Sequence, residues 1–151
     1  MSVKQQLCEA LEVAMRSRDE VALSALRQAL AAIAVAETAG AEQVALSDDQ
    51  VLAVLAVEVR KHHETADAFV TAGRQDRVDL ARAEAAVLEG YLPAALDDEA
   101  LQRLVDDAVA SVAGGEGMKA MGRVVAAVRA AAGPTADGAK IAQLVKAALA
   151  G

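Results

Sequence analysis

The chain has 151 residues, a formal net charge of −7, 55% hydrophobic residues, no Trp and a single Phe and Tyr. That length allows one domain or two small ones with a real core, and the negative balance excludes a general nucleic-acid glue. Ala, Leu and Val dominate and charges recur at helical spacing, which predicts an all-α protein packed from small aliphatic side chains.

Ser2 caps a first predicted helix running to about Arg16, with Val3, Leu7, Leu11 and Ala14 on one face. Asp19 caps a second, from Glu20 to Thr38, whose Leu23, Leu26, Leu30 and Ile33 form a seam at steps of three and four. Gly40 ends it, and Ser47-Asp48-Asp49-Gln50 is a capping box that starts a third helix reaching Ala72. Its stripe is Leu52, Leu55, Val59, His62, Ala66 and Phe69. A turn at Ala72-Gly73 leads to a fourth helix, Gln75 to Glu89, with Leu80, Ala83, Val87 and Leu88 expected inward. The short turn makes the third and fourth helices antiparallel neighbours.

Pro93 marks a boundary, because the residue before a proline is pushed out of helical conformation. Residues 1–92 are therefore expected to form an N-terminal helical bundle and residues 93–151 a smaller three-helix C-terminal tail domain. In the tail, Asp97 caps a helix to Val112 with Leu101, Leu104, Val105 and Ala108 inward. A sixth helix spans Met118 to Ala132, with Met121, Val125 and Val128 inward. Asp137 caps a seventh from Gly138 to Ala150, with Ile141, Leu144, Val145 and Leu149 inward.

The N-terminal stretch carries Glu9 and Glu12 and lacks the apolar run of a signal peptide. No window reaches the roughly 18 uninterrupted apolar residues of a membrane span. With Cys8 alone, no internal disulfide is possible, so a reducing, cytoplasmic setting is expected. Cys8 itself is expected as a small buried hydrophobe.

Charge is uneven along the chain. Residues 114–151 carry Lys119, Arg123, Arg129, Lys140 and Lys146 against Glu116 and Asp137, a net of +3, while the rest is acidic. A basic last third on an acidic chain is a sign asymmetry that fits a phosphate-bearing partner or, equally, ordinary solvated charges that keep these helices soluble. The loop Gly114-Gly115-Glu116-Gly117-Met118-Lys119 lacks Walker spacing and follows a helix, so it is no nucleotide motif. It places backbone amides and Lys119 at a helix start, an arrangement able to hold one backbone phosphate, or it is a plain interhelical turn.

Catalytic chemistry finds little footing. His62 and His63 are adjacent and diverge by about 100° on a helix, so they do not face one metal ion. Glu58, Glu64, Glu84 and Glu89 read as partners of ion pairs, Arg60–Glu64 among them, rather than as an acid–base pair. No Ser or Cys has a base at a known spacing. No catalytic residue, metal or cofactor is assigned.

The pieces LSALRQALAAI, LSDDQVLAVLAVEVRKHHETADAFVTAGRQD, ARAEAAVLEGYLPAALDDEALQRLVDDAV, GMKAMGRVVAAV and ADGAKIAQLVKAAL occur in this order over most of residues 20–150. Together they resemble the GatB/YqeY family. That family includes small free-standing proteins and the C-terminal region of the B subunit of glutamine-dependent aminoacyl-tRNA amidotransferase. The resemblance implies a helical bundle followed by a helical tail, and tRNA as partner. It also implies that ATP, magnesium and transamidation belong to a segment this sequence does not contain. The expected function is a non-catalytic, tRNA-associated helical module. Lys119, Arg123, Arg129, Lys140 and Lys146 are the candidate RNA-binding residues. The alternatives are an accessory component of an amide carbon–nitrogen ligase using glutamine, and a helical module that binds a protein partner without RNA.

Overall fold

The computed structural model describes residues 1–151 and is helical throughout: α1 (Val3–Ser17), α2 (Glu20–Glu37), α3 (Asp48–Thr71), α4 (Gln75–Glu89), α5 (Asp98–Val112), α6 (Met121–Ala132) and α7 (Gly138–Ala150). A single 3₁₀ turn, Gly117–Ala120, leads into α6. The chain divides into two compact units, Met1–Leu92 and Pro93–Gly151, each with its own core.

Local chemistry sets most of the boundaries. Ser2 and Ser47 each close a full capping box, with Gln5 and Gln50 returning a side-chain oxygen to the cap amide. Asp19, Asp97 and Asp137 cap α2, α5 and α7 through their carboxylates. These contacts satisfy amide donors that a helix start leaves orphaned. Between α3 and α4, Gly73 adopts φ +71°. Its amide donates to the Val70 carbonyl, and the Arg74 amide to that of Phe69. This is a Schellman closure, and the left-handed residue at its centre is why a glycine stands there.

In the first unit, Leu7, Leu26, Ile33, Leu55 and Leu88 are fully buried, and Ala25, Ala29 and Ala85 lie between them with no exposure. Alanines at these contacts let the helices approach closely without aromatic filling. Ala66, Val78 and Ala81 form a satellite cluster with Phe69 near the α3–α4 turn. Glu37, at the end of α2, is the buried charge that the seam pattern did not reveal. It accepts from Lys4 Nζ at 2.7 Å and from the Leu46 amide at 3.3 Å, joining α1, α2 and the loop before α3. The Lys4 hydrogen bond holds its carboxyl below the ordinary range, against the opposing pull of desolvation.

Three expectations are corrected. The inward face of α4 is Val78, Ala81, Ala85 and Leu88; Leu80 is exposed, and Ala83 and Val87 are only half-buried. Leu80 sits two positions from Val78, about 200° around the helix, so both cannot face the bundle. Cys8 is exposed, because the buried residue beside it, Leu7, takes the inward direction. The sixth helix starts at Met121 rather than Met118, after the 3₁₀ turn. The tighter turn shifts the phase, so Ala120, Val124 and Val128 are buried while Met121 and Val125 are half-buried.

In the second unit, Leu101, Val105 and Ala108 of α5 meet Val124 and Val128 of α6 and Ile141 and Val145 of α7. All three helices pack on one another, and the 3₁₀ turn packs on α7. An ion pair between Lys140 and Asp98 brings the N-termini of α5 and α7 together. The C-terminal end of α6 lies there too, since the Arg129 guanidinium is close to Gly138 at the start of α7. The glycine loop, the 3₁₀ turn and the C-terminal half of α7 form the opposite end.

Candidate nucleic-acid interface

The five basic residues expected to share a surface are divided between the two ends of the second unit. Arg129 and Lys140 stand at the end where α5 and α7 begin. There Lys140 is taken up by Asp98, and the Arg129 guanidinium is near Gly138. The capping carboxylates of Asp97 and Asp137 occupy the same end. That end therefore offers little net attraction to a phosphate.

Lys119, Arg123 and Lys146 belong to the other end. Lys119 lies in the 3₁₀ turn and Arg123 in the first turn of α6, so the uniform four-residue helical step expected between them is interrupted. Arg123 Nη2 forms an ion pair with Glu116 Oε2 at 3.2 Å, and both side chains are about half exposed, 51% and 50%. Lys119 and Lys146 are exposed and take part in no ion pair. The loop beside them carries Gly114, Gly115 and Gly117 at φ +59°, +76° and +61°. Three left-handed positions within four residues turn successive amides differently from a helix, and only glycine takes them without strain. This end combines two free ammonium groups, a guanidinium on an exposed carboxylate and a glycine-built loop.

The partners of Arg123 and Lys140 were not legible in the sequence. Glu116 and Arg123 are separated by the 3₁₀ turn, which breaks any helical spacing rule. Asp98 and Lys140 are 42 residues apart, with nothing local to link them.

The polar groups of the first unit form bridges between helices. His62 Nδ1 lies 3.4 Å from Glu84 Oε2, which also accepts from Gln28 at 3.2 Å, so α3, α4 and α2 share one carboxylate. His62 Nε2 is buried without a partner. His63 turns the other way, with Nε2 2.5 Å from Glu89 and Nδ1 2.8 Å from Arg82, which also holds Asp67. A guanidinium can only donate, so Nδ1 accepts and Nε2 carries the hydrogen given to Glu89. Glu58 pairs with Lys61, whereas Arg60 and Glu64 do not pair. The two histidines thus serve different partners, and no three His, Cys, Asp or Glu side chains converge as metal ligands. Beside Cys8 lies an open groove lined by Met1, Lys4, Gln5 and Glu9. Its lysine is engaged with Glu37. No helix is long and apolar enough to cross a membrane.

Comparison with known families gives a match over nearly the whole chain. The family model described as Yqey-like protein matches residues 4–149, spanning both units. No curated protein matches the chain.

Proposed function

The chain belongs to the YqeY-like family, and from that footing we propose that it is a non-catalytic, tRNA-associated module that holds RNA backbone phosphates at one end of its C-terminal unit. What supports this reading is that Lys119 and Arg123 follow the glycine loop, that α7, which carries Lys146, packs on the same 3₁₀ turn, and that Lys119 and Lys146 are free of any acidic partner. Support also comes from the motif order, which resembles the tRNA-engaging region of the amidotransferase B subunit. Ammonium and guanidinium groups on exposed helix ends hold phosphates by charge and by charge-assisted hydrogen bonds. Such contacts position RNA without reading its bases, so binding is modest and largely indifferent to sequence.

Two double variants test this on the full chain with unfractionated tRNA. Lys119→Ala with Lys146→Ala is expected to weaken binding and flatten its salt dependence by about two phosphate contacts. Arg129→Ala with Lys140→Ala, at the acid-lined end, is expected to change both far less. Unchanged affinity in the first variant, with helicity retained, removes this surface as the site. If the parent chain also fails to bind at low salt, a helical protein-interaction module becomes the better reading.

A further inference from the structure

Glu116 is the acidic partner of Arg123, one of the three cations at the proposed phosphate-holding end. Its carboxylate sits 3.2 Å from Arg123 Nη2. It is carried on a loop where the positions of added Cβ atoms at Gly114, Gly115 and Gly117 meet nothing within 4 Å. There is open space around these three positions, so the Glu116 side chain is not enclosed there. A carboxylate and a phosphate both offer anionic oxygens that a guanidinium can hold, so either can partner Arg123. The pair is half exposed, and exposed ion pairs are weak and easily exchanged.

Resting on the RNA-holding reading above, we propose that Glu116 is a built-in competitor of the phosphate, an autoinhibitory carboxylate that RNA must displace from Arg123. Displacement converts a two-cation end into a three-cation end. The residues of the contact belong to one loop and the first turn of α6, so the exchange requires no change in the core formed by Val124, Val128, Ile141 and Val145.

The test compares the parent chain with Glu116→Gln for binding unfractionated tRNA over a range of salt, with circular dichroism as a fold check. Glu116→Gln is expected to bind about two- to fivefold tighter, the scale of one exposed ion pair. Its logarithmic salt slope is expected to stay close to that of the parent, because Arg123 holds a phosphate in both complexes. Glu64→Gln changes net charge equally at an exposed carboxylate outside any ion pair, and is expected to give a smaller gain. In an Arg123→Gln background the gain from Glu116→Gln should vanish. If the parent binds and Glu116→Gln binds no tighter than Glu64→Gln, the competitor role is wrong while the RNA reading stands. Binding that appears only in Glu116→Gln supports the competitor role. If neither chain binds at low salt, both ideas fall.

Discussion

Leu80 and Leu88 stand on the same helix, α4, and shortening each to Ala gives the most direct check of how that helix is rotated. Leu88 has no exposure and packs in the core with Leu7, Leu26 and Leu55. Its truncation removes buried methyl groups and leaves a cavity that Ala-rich helices cannot easily collapse into, about 3 kcal/mol in all. Leu80 keeps 41% of its surface in water. Its truncation loses only part of a transfer term and opens no enclosed space, about 1 kcal/mol. Both changes improve intrinsic helix propensity by the same small amount, so that contribution cancels. In urea unfolding the difference of about 2 kcal/mol becomes a midpoint gap of roughly 1 M or more for a unit of this size. The fluorescence of Tyr91, the sole tyrosine in a chain without tryptophan, reports this unit because its ring packs against the same core. A Leu80→Ala penalty equal to or larger than that of Leu88→Ala would show that α4 is rotated differently and that the reasoning about its face is mistaken.

Two further outcomes follow from titrating groups. Glu37 has a lowered folded-state pKa, so its contribution is present above the ordinary glutamate value of 4.5 and is lost as pH falls through the folded value. The stability gap between the parent chain and Glu37→Gln should thus be widest near neutral pH and shrink in acid; a gap that grows below pH 4.5 contradicts the Lys4–Glu37 account. Burial raises the Tyr91 phenol above its ordinary value of 10. Ultraviolet titration should show phenolate forming at higher pH in the folded chain than in urea, with the associated stability lost as pH rises through the raised value, and coincident curves would count against that burial.

Much of the fold was legible because its signals are local. Ser2, Asp19, Ser47, Asp97 and Asp137 announce helix starts through side chains that reach only two or three residues. Gly73 marks a helix end through its own dihedral angle. The fourth helix was harder, because Arg74 provides no side-chain cap and the helix is Ala-rich. With alanines on several faces, Leu80 looked inward by hydrophobicity alone, and only packing against α2 and α3 selects Val78, Ala81, Ala85 and Leu88. The 3₁₀ turn before α6 was hidden for a related reason, since Met118-Lys119-Ala120 has the composition of an ordinary helix. Buried Glu37 and Glu84 were not foreseen as core residues because their burial depends on partners brought together from other helices. At the candidate site, residue types were readable but their arrangement was not. The pairing of Lys140 with Asp98 and of Arg123 with Glu116 decides which cations remain free, and both pairings are products of the folded unit.

The central claim, phosphate holding by Lys119, Arg123 and Lys146, is tested most directly by the salt dependence of tRNA affinity for the unaltered chain. Three cations at one end predict a logarithmic slope of about −2 to −3, the same across tRNAs of different sequence. A slope near zero, or no binding at the lowest salt, would contradict it.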